Sequence, residues 1–339
     1  MHVRSVYVKA PWQCEVRDVQ LPALKPGWAR IRVEACGICG TDQTAAVSGA
    51  KEWEALGHEV AGVIEELAPG VTTFTVGQKV VLESASFCGV CSVCRDGRVD
   101  LCHDKAPNFW GQPAMGMSDR FMVPAACLVP YEGLSAAEAC LVEPAGVAYD
   151  LIKTADIQMG DRVLLVGPGP IGLAAIALAK HRGAARLIAV GTKTDGLRMQ
   201  TARELGAETR ASTAPDFADL GDLDRQFDHV LMTAPTSYIA PALRFLAYGG
   251  EMSYIGIGTG SGMISFDAND FHFRKLQLRA SFASPAMYYP AVLRLMAAGI
   301  IPAAKLISHR FPIERAPEAF GVLKDQRDTA LKIVITPGV

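Results

Sequence analysis

The chain has no surplus of charge of either sign: 33 Lys and Arg stand against 35 Asp and Glu, a formal net charge of −2. Binding a phosphate backbone or an anionic lipid surface needs a basic excess, so nucleic acid and membrane are excluded as expected partners. Long apolar runs are missing too. The longest uncharged stretch near the middle, Val163 to Ala179, falls short of the ~20 residues of a spanning helix and is broken by Gly and Pro in its first half. The opening segment MHVRSVYVKAP alternates like a strand and reaches Lys9 and Pro11 before an apolar leader core can form, so no secretory signal is expected and a cytoplasmic location is the default. There is no internal repeat, low-complexity tract or long charge run. What is present is ordinary globular material: 339 residues, half apolar and a fifth charged, enough for a sizeable core and too apolar for disorder. At ~100–200 residues per domain the length predicts two domains.

Nine cysteines in a reducing compartment do not predict a disulfide framework. Cys14, Cys127 and Cys140 are isolated among apolar neighbours and read as small buried hydrophobes. The other six are clustered. Cys88, Cys91, Cys94 and Cys102 form a C-x2-C-x2-C-x7-C array flanked by Phe87, Gly89 and Gly97. Four thiolates so spaced suit a closed, tetrahedral, structural zinc site; an iron–sulfur cluster is the alternative use of the same ligands.

Texture changes along the chain. Up to about residue 145 short alternating segments (VRSVYV, ARIRVEA, HEVAGVIEEL, QKVVLES, RFMVPA) are punctuated by Pro26-Gly27 and Pro69-Gly70, which predicts a β-rich, barrel-like domain. From about Asp161 continuous apolar runs at Val163–Val166, Arg186–Val190, Asp228–Ala234, Met252–Ile257 and Leu276–Ala283 alternate with helical stretches. That is the pattern of βαβ units around a parallel sheet buried on both faces. The last ~50 residues, from about Ala286, read as one helix (MYYPAVLRLMAAG) followed by strand and turn segments ending in ALKIVITP, too few for a domain of their own.

Gly167-Pro168-Gly169-Pro170-Ile171-Gly172 has the G-x-G-x-x-G form between an apolar strand and a helix. Gly167 permits the tight turn, Gly169 the approach of a pyrophosphate and Gly172 close helix–strand packing, with the helix N-terminus, Pro170 and Ile171, attracting the anion. The acidic residue expected at the end of the next strand is missing, because Val190 is followed by Gly191-Thr192-Lys193. Without that carboxylate a 2′-phosphate meets no like charge, and Thr192, Lys193 and Arg198 could donate to it. The reading therefore leans to NADP over NAD, with Asp195 reaching back to the ribose as the alternative.

A second, dispersed set comprises Cys39 in CGICGTD, His58-Glu59 in LGHEVAG and Glu143 in LVEPAG. One thiolate, one imidazole and carboxylates make a mixed zinc ligand set of the kind that keeps a position open for chemistry. Taken singly His58 reads as a satisfied core or surface residue and Glu143 as an acid at a helix start.

Together GICGTD, GHE, the four-cysteine lobe, EP, GPGPIG and the tail HRFPIERAPEAF…KIVI resemble, nearly end to end, the zinc-containing medium-chain dehydrogenase/reductases, and most closely their polyol branch of sorbitol (L-iditol), threonine and glucose dehydrogenases. The resemblance implies an α/β architecture: a GroES-like β-barrel catalytic domain over residues 1–145 with the cysteine lobe at about 86–103, a Rossmann doubly wound parallel sheet over 146–285, and a segment 286–339 that returns to the catalytic domain. It also implies that Cys39, His58 and Glu59 bind a catalytic zinc, that Glu143 is a further ligand or the hydrogen-bond partner of the metal-bound water, and that Cys36 is buried and no ligand. Two zinc ions per chain follow, one catalytic and one structural. Thr41 resembles the family's proton-relay hydroxyl, its other reading being a turn hydroxyl; Gln43 and Thr44 stand where relatives often carry the histidine that continues the relay. Phe109 and Trp110 read either as walls of a substrate pocket or as packing. The implied activity is NAD(P)-linked interconversion of a secondary alcohol and a ketone on a polyol, cyclitol or sugar, in a homodimer or homotetramer. An amino-alcohol dehydrogenase and a non-catalytic nicotinamide-binding protein are the alternatives.

Overall fold

The computed structural model describes residues 1–102, 107–255, 262–284 and 288–338. Backbone packing divides the chain into one unit of Met1–Gly146, Ala283–Gly299 and Ala303–Val339 and a second of Val147–Phe282 with Ile300–Pro302. The first division falls inside the helix Val142–Ala155. The boundary expected at 285/286, the end of the expected cysteine lobe at 103 and the end of the expected strand at Ile257 lie outside the described residues.

The first unit carries β1 (His2–Lys9), β2 (Gln13–Gln20), β3 (Trp28–Gly37), β4 (Glu54–Ala55), β5 (Glu59–Leu67), β6 (Lys79–Leu82), β7 (Arg120–Pro124) and β8 (Leu128–Pro130). The second carries β9 (Arg162–Val166), β10 (Arg186–Gly191), β11 (Glu208–Ala211), β12 (Phe227–Met232), β13 (Leu246–Tyr254) and β14 (Gln277–Ala280), and the tail adds β15 (Ile307–Pro312) and β16 (Lys332–Thr336) to the first.

Among the described residues the first unit has a sheet in the order β2-β1-β4 and a larger one in the order β15-β16-β3-β5-β6-β8, with β7 also paired to β3. Alternation builds both. Val3, Val6 and Val8 of β1 and Ile31 and Val33 of β3 turn inward and meet Val60, Ile64, Phe121, Ile333 and Ile335 in one apolar core. The tail is thus a working part of this unit: β16 lies antiparallel to β3 at Val334↔Gly37, and β3 pairs with β5 at Gly37↔Glu59. These registers bring three distant segments to one place. β2 escaped the sequence reading because its charged residues, Glu15, Arg17 and Asp18, hide the alternation; Cys14 on it is half-buried and not the buried hydrophobe expected.

In the second unit all strands are parallel, in the order β11-β10-β9-β12-β13-β14. Counted from β9 this is 3-2-1-4-5-6, the doubly wound arrangement whose order reverses beside the first strand. Val163, Leu164, Leu165 and Val166 are all buried, as continuous apolar strands must be when helices cover both faces. The helix Pro170–Arg182 that follows has Pro at its first position and ends at Gly183 with φ 99°, a start and a stop that need those two residues. Its residues Gly172 to Ala179 are buried throughout. The expected strand from Met252 begins earlier, at Leu246, and runs through Gly249-Gly250, which broke the apolar pattern. Among the described residues no helix is long and apolar enough to cross a membrane.

Candidate active site and dinucleotide site

The end of β3 delivers Cys39, which caps the helix Gly40–Thr44; its backbone N–H donates to Asp42 Oδ2 at 2.9 Å, the reciprocal half of a capping box. The start of β5 delivers His58 and Glu59. The donor atoms of Cys39, His58 and Glu59 all lie within 4.8 Å of one another, with His58 5 % and Glu59 0 % exposed. Glu143 stands beside this group, its Oε1 4.0 Å from His58 Nε2. Asp42 faces the other side of the ring, Oδ1 3.9 Å from Nδ1.

Electrostatics mark the cluster as a place for a cation. Burial works against a charged imidazole, yet the bond with Cys39 and the charges of Asp42, Cys39 and Glu143 outweigh it and push His58 well up. Burial also raises Glu143, to about 7, with Glu59 adding to the effect and His58 opposing it. His58 Nδ1 and Glu59 Oε2 are buried without hydrogen-bond partners among the described residues. A thiolate, an imidazole and a carboxylate with unused donor atoms fit zinc chemically.

Lys332 was missed by the sequence reading and closes the cluster from the tail. Its ammonium, 4 % exposed, donates to Glu59 Oε1 at 2.6 Å and to the carbonyl of Ile38 at 3.0 Å. A lone charge inside the apolar run LKIVI was the available signal. Gly37 was missed as well: a Cβ there would overlap Glu59 Oε2, so the carboxylate occupies room that only glycine leaves.

Thr41 is exposed, and its hydroxyl has no protein partner among the described residues; the turn role belongs to Thr44, whose Oγ1 donates to Gly40 O at 3.0 Å. The two aromatic candidates part company. Phe109 is 1 % exposed and packs in the core, whereas Trp110 stacks on it at 5.2 Å, donates from Nε1 to Ser84 O at 3.3 Å, remains 51 % exposed and lies 5.4 Å, ring to ring, from His58.

The four sulfurs of Cys88, Cys91, Cys94 and Cys102 also lie within 4.8 Å of one another. The Cys91–Cys102 separation is 4.0 Å, near the ~3.8 Å between ligands of a tetrahedral zinc with ~2.3 Å bonds. Backbone donors at Val90 and Cys91 pull the Cys88 thiol down to about 6, while desolvation pushes Cys94 up to about 12. Cys36, Cys127 and Cys140 are each fully buried.

At the switch point of the parallel sheet Gly167 takes φ 99°, and a Cβ there would come within 2.8 Å of Ala234 N. A Cβ on Gly172 would collide with Gly167 O, whereas one on Gly169 would meet nothing within 4 Å. The middle glycine therefore faces open space at the helix N-terminus, a cradle fitting a pyrophosphate. Two outcomes follow. Gly172→Ala is expected to destabilise the fold by about 1–3 kcal/mol through overpacking, whereas Gly169→Ala should leave Tm unchanged and raise the dinucleotide Kd at least about tenfold, as thermal melts and cofactor titration would check.

Past β10, the carboxylate of Asp195 folds onto its own turn. It is 3 % exposed, and its Oδ2 accepts from Thr192 N at 2.8 Å and Thr192 Oγ1 at 2.7 Å, with Arg198 Nη1 3.6 Å from Oδ1. The Thr192 hydroxyl is thereby committed as a donor inside the turn. Lys193 is exposed beside it.

The chain matches two family models, the alcohol dehydrogenase GroES-like domain over residues 25–133 and the zinc-binding dehydrogenase over 170–298. It is 31 % identical to L-arabinitol 4-dehydrogenase of Aureobasidium melanogenum, over 92 % of this chain and 88 % of that protein. It is 27 % identical to sorbitol dehydrogenase of Bacillus subtilis (strain 168), over 96 % and 94 %. Its fold superimposes on alcohol dehydrogenase TADH from Thermus sp. ATN1 with a TM-score of 0.87 and 26 % identity, covering 99 % of this chain and all of that one. By its two domains and these end-to-end relatives, the chain belongs to the zinc-containing medium-chain dehydrogenase/reductases, in the polyol branch, and is an NAD(P)-linked oxidoreductase acting on CH–OH donors.

Proposed function

We propose that the chain oxidises a secondary alcohol of a polyol to the ketone, and reduces the ketone in reverse, with a catalytic zinc held by Cys39, His58 and Glu59 and with Glu143 at its side. The observation that carries this reading is the convergence of one thiolate, one imidazole and one carboxylate within 4.8 Å, in a family whose matched relatives are named for arabinitol and sorbitol. When bound, zinc supplies a Lewis acid toward the substrate hydroxyl and the nicotinamide accepts the hydride from the carbinol carbon. Asp42, 3.9 Å from His58 Nδ1, adds negative charge beside the imidazole. Thr41, exposed, takes the alcohol proton toward solvent; Gln43 cannot accept a proton, so the relay runs from Thr41 directly to water. Trp110 offers an aromatic wall next to His58.

The remaining residues have supporting parts. Cys88, Cys91, Cys94 and Cys102 hold a second, structural zinc, since four thiolates leave no open position. Gly167, Gly169, Pro170, Ile171 and Gly172 bind the pyrophosphate of NADP, and its 2′-phosphate falls to Lys193 and Arg198, with Thr192 contributing turn shape through Asp195. The chain works in the cytoplasm as a homodimer or homotetramer, for which a single 36.2 kDa species in light scattering would be the contrary result.

The test is turnover on a panel of polyols, cyclitols, aldoses, amino alcohols and simple secondary alcohols, with NAD⁺ and NADP⁺ in parallel. Polyols should give the highest kcat/KM, and NADP⁺ should exceed NAD⁺ by at least about tenfold, a preference that Lys193→Ala should reduce. Highest activity on amino alcohols would select the other branch activity, and cofactor binding without turnover on any compound would contradict the enzyme reading.

A further inference from the structure

Trp110 keeps its ring 5.4 Å from that of His58 while 51 % exposed, so burial does little to hold it there. Three other features do. Phe109, on which it stacks, is locked in the core, edge-on to Phe121 at 6.0 Å. The indole Nε1 donates to Ser84 O, at a long 3.3 Å. Gln112 supplies the third: its side-chain Nε2 donates to Phe109 O at 2.8 Å and to Met122 O, on β7, at 2.7 Å. The first of these bonds joins the ends of the four-residue turn 109–112 that carries Trp110, and the second ties that turn to the strand. An amide nitrogen has two N–H donors, and here each has a carbonyl. Between Trp110 and Gln112, Gly111 takes φ 79°, and a Cβ there would meet nothing within 4 Å, so no packing fixes the backbone at that point. With the indole bond long and the ring open to water, the two short bonds of Gln112 are the firmest hold on the tryptophan.

We propose that Gln112 is a positioning residue for substrate binding: its side-chain amide, bonded to Phe109 O and Met122 O, fixes the turn that keeps the Trp110 ring beside His58. This rests on the reading of Trp110 as a wall of the substrate pocket. Gln112, half-buried and with its donors turned to the two carbonyls, acts through Trp110 and does not touch substrate.

The test uses Gln112→Met, similar in length and without donors, in the whole zinc-loaded enzyme with sorbitol as substrate. Losing binding that ground and transition states share raises KM and leaves kcat alone. KM for sorbitol is expected to rise about fivefold, within what two neutral hydrogen bonds can supply, while kcat stays within about twofold and KM for the cofactor does not move. Gly111→Ala, which strains the same left-handed backbone without a clash, should raise KM in the same direction. In a Trp110→Ala background, itself expected to show a KM about tenfold higher, both substitutions should change KM less than about twofold, because residues acting through one another are non-additive. A second readout needs no turnover: the fluorescence that Trp110→Ala removes should be quenched more readily by acrylamide in Gln112→Met than in the parent. Gln112→Met with the parent's KM and quenching, or with the same fivefold rise in the Trp110→Ala background, would overturn the proposal. Trp110→Ala with the parent's KM would instead overturn the wall, and the proposal with it.

Discussion

Cys39→Ala is expected to lower kcat/KM by at least about a thousandfold, roughly 4 kcal/mol at 1.36 kcal/mol per decade, while the protein still folds and binds its dinucleotide. The thiolate is one of three close donors, and two protein ligands leave zinc weakly held and poorly shaped for its work. Cofactor binding should persist because the glycine turn Gly167–Gly172 belongs to the other packing unit. Metal analysis on the same variant should find one zinc per chain, in the cysteine lobe, and two in the parent. Activity surviving this substitution would show that Cys39 is not a ligand.

Lys332→Met should have the largest effect on stability. Lys332 and Glu59 are 4 % and 0 % exposed and 2.6 Å apart. In the metal-free protein, removing one partner strands a buried carboxylate, and breaking such pairs costs about 3–5 kcal/mol; the Ile38 carbonyl loses a donor as well. At about 2–4 °C per kcal/mol for units of this size, Tm should drop by roughly 10 °C. Glu59→Gln placed on top of Lys332→Met removes the stranded charge and should restore part of the loss without restoring turnover. A drop that persists in full in the double variant would mean that Lys332 acts by packing alone.

How much of this was legible from residues alone differs from place to place. The dinucleotide site was written locally: six consecutive residues between an apolar strand and a helix fix the turn, and the helix Pro170–Arg182 carries its own start and stop. The cysteine lobe was local too, its four thiols within fifteen positions. The catalytic cluster was legible only through its motifs, because Cys39, His58 and Glu143 come from three segments that no periodicity joins. Lys332 and Gly37 lay beyond such reading. Their meaning depends on registers: β16 beside β3 at Val334↔Gly37, and β3 beside β5 at Gly37↔Glu59, pairings that no local pattern specifies. Asp195 shows the same limit over a shorter range. Its sequence position past β10 suggested only an alternative, and the turn geometry decides that its carboxylate folds onto Thr192. Trp110 and Phe109, adjacent and chemically alike, separate because Phe109 packs into the apolar core beside Phe121 while Trp110 stacks on it from outside and stays half exposed.

The cluster at Cys39, His58 and Glu59 is proposed to hold the zinc on which polyol oxidation depends. The most direct measurement is the rate of NAD(P)H formation from sorbitol or arabinitol by the purified protein, before chelation, after chelation, and after zinc is returned. Loss of at least about 95 % of the rate on chelation and its recovery with zinc, at unchanged cofactor affinity, is the result expected of a Lewis-acid site. Full activity in protein from which zinc has been removed to below one ion in ten chains would contradict the account.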